Sequence, residues 1–198
     1  MEPGTGRLET FSDGVFAIAA TLLVLEFSVT SGKGLGHDLL HIWPAYLAYV
    51  TSFLTIGIIW MNHHHTVSFV GRVDRTFLFV NNLLLLTVAF LPFPTGLVGE
   101  NLRGKGEQAA ALAYAGTLVV MALLHQVWWQ YARRDRRLIA DGTTDAALRA
   151  VDRAYLPGVP LYGTVFVLAF FSPLAAVVLT FAIAAFYLPS AALFDRGG

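Results

Sequence analysis

No charged side chain interrupts the chain between Asp13 and Glu26, and the run from Val15 to Leu25 is apolar apart from Thr21. A charged turn with Arg7, Glu9 and Asp13 precedes it. Read as a helix rising roughly 1.5 Å per residue, the segment from Leu8 to Val29 can cross a hydrocarbon core of about 30 Å. Ile18, Leu22 and Leu25 fall at i, i+4 and i+7 and share one face, with Thr21 beside them. At about 100° per residue, Ser12 and Asp13 sit about 120–140° away from Ile18. The helix therefore carries polar groups that need partners near one membrane surface, and a separate row of branched aliphatics.

The rest of the chain repeats this pattern. Of its 198 residues, 56% are hydrophobic and 13% charged. A soluble domain is about a quarter charged, so the sequence predicts an all-α integral membrane protein. The first span has little positive charge before it and no small-residue cleavage pattern after Leu25, and is expected to be retained. A Gly-rich turn covers 30–36. The second span is expected over 41–69, with Pro44 in its first turn and Trp43, Tyr46 and Tyr49 as an interfacial belt. The third is expected over 76–98, kinked or ended by Pro92 and Pro94. The fourth is expected over 109–131, closing on Trp128 and Trp129. Residues 132–153 form the longest polar segment, in which Thr144 or Asp145 caps a short amphipathic helix on the membrane surface. The last apolar block divides at Ser172-Pro173 into spans over 157–171 and 174–192. The whole is one six-span domain, 1–198, with little chain outside the membrane.

Six spans sort the basic residues. Arg7, Arg72, Arg75, the four arginines within 133–137, Arg149, Arg153 and Arg196 fall on one side. Lys33, Arg103 and Lys105 fall on the other. The positive-inside rule then places both termini in the cytoplasm. The polar start of the first helix lies near the cytoplasm, and Glu26 near the outer mouth.

Several function classes are excluded or weakened. There is no cysteine, hence no thiolate metal site and no cysteine nucleophile. Zero net charge gives no support to nucleic-acid binding. No HExxH, GxSxG, Walker or nicotinamide-binding pattern is present. His63, His64 and His65 point roughly 100° apart on a helix, so one helix cannot close all three around one metal ion. His37 and His41 have i, i+4 spacing but straddle a loop and a helix start. Ser12 and Asp13 diverge too much to bracket one imidazole as a triad. The chain is not expected to be an enzyme or to carry a metal or cofactor. Asp13 reads as a structural carboxylate at a helix N-terminus, and Arg7 is placed to pair with it or with Glu9. One of the histidines, with Trp60 one turn before His64, is placed to hydrogen-bond the polar end of another helix. Asn81 and Asn82 are amides that need partners between helices.

The opening motif, Arg7-x-x-x-Phe11-Ser12-Asp13-Gly14, resembles the RxxxFSDG signature that starts the first helix of the transmembrane protein 175 family, the endolysosomal potassium channels and their bacterial relatives. All five specified positions match, and the six-span layout is similar. The resemblance implies a homotetramer in the bilayer of a bacterial plasma membrane, with the first helix lining a central pore that conducts K+ and other monovalent cations. It implies that Ile18, Leu22 and Leu25 are the narrowing layers, and that Trp60, His64 (or its neighbour His63) and Asn82 brace the FSDG segment. TVGYG is absent, as is an arginine ladder. Selection and gating would then rest on an aliphatic constriction, with Thr21 supplying a hydroxyl ring. Glu26 would either concentrate cations at the outer mouth or pair with Lys33. The alternatives are a proton pathway through the same pore and a secondary transporter, the latter weakened by the lack of internal repeats.

Overall fold

The computed structural model of the chain describes residues 5–28 and 34–194. Lys33 and Arg196 lie outside the described residues, and so does the expected Glu26–Lys33 pair. Among the described residues nine α-helices follow in order: α1 Gly6–Leu22, α2 Leu35–His41, α3 Trp43–Val67, α4 Arg75–Phe90, α5 Pro92–Asn101, α6 Glu107–Arg133, α7 Asp145–Tyr155, α8 Gly158–Ala169 and α9 Pro173–Phe194. Among the described residues there is no strand; Val70 and Ile139 form an isolated antiparallel bridge. Among the described residues four helical stretches are long and apolar enough to cross a membrane: Gly6–Glu26, Trp43–Val67, Arg75–Asn101 and Glu107–Arg136.

The helix ends follow local chemistry. α1 tightens into a 3-10 turn over Leu23–Glu26 and then turns extended at Phe27. The chain breaks between α2 and α3 at Ile42 (φ −84°, ψ 20°), and Pro44 stands in the first turn of α3, where a missing N–H costs little. Pro92 and Pro94 interrupt the third stretch at Leu91 but do not end it. The Thr95 N–H returns to the Leu91 carbonyl at 3.2 Å and α5 runs on to Asn101. Thr144 is the cap of α7, accepting from the Ala147 N–H at 3.2 Å.

Protein, rather than solvent, covers the apolar side of α7. Its apolar side, Leu148 and Val151, is buried against Leu8, Val70, Trp128, Trp129 and Leu138. The Gly71 N–H donates to the Leu138 carbonyl and the Ala140 N–H to the Phe69 carbonyl, both at 2.9 Å. Trp129 Nε1–H donates to Asp152 at 2.8 Å, and Arg133 also pairs with Asp152. The segment after α6 therefore folds back as a clasp over one end of the bundle. α7 buries its apolar stripe in protein because three helix ends already present matching aromatic surface there.

The main core lies between the long helices. Phe16, Ala19 and Leu23 of α1 pack with Ala48 and Ile56 of α3, Leu84 and Val88 of α4, and Tyr114 and Leu118 of α6. Within it, the Ser52 hydroxyl lies 2.8 Å from that of Thr95 and 3.0 Å from that of Tyr114. These three hydroxyls join α3, α5 and α6 where no water competes for them, and an unmade bond there would cost more than in a soluble surface.

Asp74 closes the basic end. Its carboxylate accepts from the Phe77 N–H and the Tyr131 hydroxyl, both at 2.8 Å, and lies 3.3 Å from Arg137. Burial alone would raise its pKa, but the hydrogen bonds and the Arg137 guanidinium outweigh that and hold it below the usual carboxylate range. A folded-state pKa held low contributes stability above the unfolded carboxyl's pKa, and that stability is lost as pH falls through the folded value. Asp74→Ala should therefore cost about 1 kcal/mol at neutral pH, and its difference from the parent should shrink below about pH 4. Thermal unfolding in detergent across that range checks both; a difference that stays constant to pH 2 would contradict the assignment.

Candidate permeation site

α1 has two faces. Leu8, Ser12, Phe16, Ala19 and Leu23 are buried. On the opposite side Ile18, Leu22 and Leu25 are 61, 40 and 72% exposed, with Phe11, Gly14 and Thr21 exposed beside them. The structure thus gathers Ile18, Thr21, Leu22 and Leu25 on one uncovered stripe. Thr21 Oγ1 donates to the Ile18 carbonyl at 2.9 Å, which quiets its own proton and leaves oxygen lone pairs facing outward.

Polar contacts at its start set the rotation of α1. Ser12 is fully buried and accepts from Asn81 Nδ2 at 3.2 Å. Asn81 Oδ1 in turn accepts from His63 Nε2–H at 2.8 Å. The His63 ring stacks on Trp128 at 4.7 Å, and Trp128 stacks on Phe77 at 4.8 Å. Phe16, one turn beyond Ser12, meets His63 at 5.5 Å. Nearer the surface, Trp60 Nε1–H donates to Asp13 Oδ1 at 2.8 Å. The motif's serine and aspartate thus reach two different partners on α3 and α4, as their angular separation on the helix requires. Arg7 is exposed and makes no ion pair among the described residues.

Side-chain placement decides one open choice and differs from the expected pattern at two further residues. Bracing was expected from Asn82 and from His64 or its neighbour His63; within the chain these bonds are made by His63 and Asn81. His64 is exposed with its ring 6.3 Å from that of Trp60, and Asn82 is also exposed. One residue along a helix is a rotation of about 100°, so only one of two neighbours can face α1. Glu26, expected at the pore, is not on the exposed stripe. Its carboxylate turns to α5 and lies against Gly96, where an added Cβ would collide with it. The cause is the 3-10 turn, whose tighter winding carries residue 26 off the α-helical register.

Sequence reasoning missed Trp128 as the stacking support of His63, and the buried His125, whose ring lies 5.9 Å from Trp128. The available signal was register. Phe77, Asn81, Leu84, Leu85 and Val88 recur at helical spacing and are buried together. In a helix apolar on every side that signal is weak. The three consecutive histidines diverge: His63 to Asn81, His64 toward Trp60, and His65 to the Tyr155 hydroxyl at 3.1 Å. Among the described residues no group of three or more His, Asp or Glu side chains is placed to hold a metal ion.

If Asn81 is the link between α1 and α3, Asn81→Leu leaves both Ser12 and His63 without partners and should cost about 1–3 kcal/mol. Asn82→Leu, which uncovers nothing, should stay within about 0.5 kcal/mol. Thermal unfolding of the two variants in detergent separates them, and equal losses would remove the distinction between the two amides.

Comparison with known proteins gives the same family by three routes. Residues 7–92 match the family model described as the endosomal/lysosomal potassium channel TMEM175. A potassium channel of Chamaesiphon minutus is 42% identical over 92% of this chain and 93% of its own. The endosomal/lysosomal proton channel TMEM175 of Danio rerio is 36% identical over 61% of this chain and 25% of its own. Among solved structures, the crystal structure of a lysosomal potassium-selective channel TMEM175 homolog from Chamaesiphon minutus superposes with a TM-score of 0.85, at 41% identity, over 94% of this chain and 97% of that one. With its opening RxxxFSDG turn anchored to α3 and α4 and nearly its whole length shared with such a relative, the chain belongs to the TMEM175 family.

Proposed function

We propose that this protein is a potassium-conducting cation channel, a homotetramer in a bacterial plasma membrane whose pore is lined by α1 from each subunit. The observation that carries this reading is the uncovered aliphatic stripe of α1. Its other face is held by Ser12, Asp13, Asn81, His63 and Trp60, so Ile18, Leu22 and Leu25 are presented in a fixed direction and stay exposed on the chain's surface. One such helix cannot enclose an aqueous path, whereas four related by symmetry can. The relatives called potassium channels support the choice of ion.

The physics of conduction follows from that arrangement. A ring of aliphatic side chains repels water when tight, and an ion at a dry constriction loses hydration without replacement. A small tilt or rotation of α1 widens the ring enough for a hydrated ion. The Thr21 hydroxyls lie between the Ile18 and Leu22 layers and offer oxygen to a partly dehydrated cation. Gating then acts through α1 as a lever whose fixed end is the polar brace.

The spans are read as six, with α8 and α9 as the fifth and sixth and both termini cytoplasmic. Arginines support this orientation. Leu8, Val70, Ala132, Leu138 and Val151 meet in one cluster, so the basic segments around them gather at one end of the bundle. Arg103 lies at the other end, over the Trp43 ring at 5.8 Å. A proton path through the same pore is the second reading, favoured by the name of the Danio rerio relative.

Ile18→Asn or Leu22→Asn should raise resting K+ flux into liposomes about tenfold, the factor that about 1.4 kcal/mol off the dehydration barrier supplies. Sodium and proton gradients run in parallel separate the two readings. Unchanged flux in both variants would take α1 out of the pore.

A further inference from the structure

We infer that the outward groove on the last turns of α6 is a binding site for one glycerophospholipid, with the lipid phosphate on Arg134. The groove holds about 310 Å³ and is lined by Gln126, Val127, Gln130, Tyr131 and Arg134. It rests on the reading that α6 spans the bilayer with its C-terminal end at the basic side, and does not depend on conduction. α6 packs chiefly against α4, α5, α8 and α9, so this groove lies away from the exposed stripe of α1.

Four arginines stand between 133 and 137, and three have fixed partners. Arg133 pairs with Asp152, Arg136 with Asp145 and the Thr143 carbonyl, and Arg137 with Asp74. Among the described residues Arg134 reaches only its neighbour Asp135 at 3.9 Å, with the two side chains 85 and 92% exposed. Its guanidinium is the cation of the run left to bind something from outside. A planar guanidinium matches a phosphate better than a point charge does.

Depth then selects a lipid over a free anion. Gln126, Gln130 and Arg134 recur every four residues, so their polar ends descend about 6 Å at a time from the helix end into the hydrocarbon. Neither glutamine side chain has a hydrogen-bond partner among the described residues. An amide facing hydrocarbon alone is costly. The glycerol ester carbonyls of a phospholipid lie about one helical turn below its phosphate, level with Gln130, whose amide N–H groups would donate to them. Val127, 52% exposed, and the Tyr131 ring form the wall for an acyl chain. The Tyr131 hydroxyl is already given to Asp74, and Arg137 sits over its ring at 5.5 Å, so that wall is rigid.

The test is native mass spectrometry of the purified full chain with added phosphatidylglycerol, beside diacylglycerol of the same acyl chains and free glycerophosphate. Wild type should retain phosphatidylglycerol, with little diacylglycerol, and glycerophosphate should not displace it. Arg134→Ala should lower retention about fivefold, the worth of one basic residue at a lipid surface; Gln130→Leu should also lower it. Arg149→Ala, an exposed arginine on α7, should leave it unchanged. Equal loss in the Arg134 and Arg149 variants, retention of diacylglycerol, displacement by glycerophosphate, or no lipid on the wild type because another copy covers the groove would each overturn the proposal. K+ flux from the same preparation reports on the channel separately.

Discussion

A polar group surrounded by hydrocarbon must find its partner inside the protein, and the chain from Ser12 through Asn81 to His63 meets that demand. All three side chains are buried, so water cannot replace these bonds, and each holds its helix in one rotation. Ser12 turns one face of α1 inward, and Phe16, Ala19 and Leu23 follow on the same side. The opposite face is then left outward by geometry alone. The direction in which Ile18 and Leu22 point is thus settled by a serine one to three turns away.

The brace is itself supported. His63 is held between Asn81 and the flat face of Trp128, and Trp128 leans on Phe77 in the first turn of α4. The clasp of residues 138–151 covers this aromatic stack and also touches Leu8 in the first turn of α1. Packing at the basic end and the rotation of α1 are therefore coupled through contiguous side chains. At the other end the restraint differs in kind. The hydroxyls of Ser52, Thr95 and Tyr114 tie α3, α5 and α6 together, while α1 ends in a 3-10 turn with Glu26 against Gly96.

Much of this was legible in the residues. Long uncharged runs announce membrane helices because hydrocarbon leaves no alternative for the backbone. Ile18, Leu22 and Leu25 fall on one face by spacing, and the separation of Ser12 and Asp13 from them follows from the same angle. The cap at Thr144 and the break at Ser172-Pro173 are chemical signals that act locally. Reading failed where two neighbours compete for one direction. His63 against His64, and Asn81 against Asn82, cannot be separated when the flanking residues are apolar on every side. Nor could it show what covers the apolar side of the amphipathic α7, because that cover comes from residues far away in sequence.

By itself, then, the sequence determined that the chain is helical and membrane-embedded, where most helices start and stop, and which motif opens α1, because each of these depends on interactions within a few residues or with the solvent. Only the tertiary structure decided which histidine and which asparagine brace α1, that Glu26 turns toward α5, and that α7 packs on protein. Those outcomes depend on the rotation of whole helices about their axes, and that rotation is set by contacts between residues 18 to 69 positions apart.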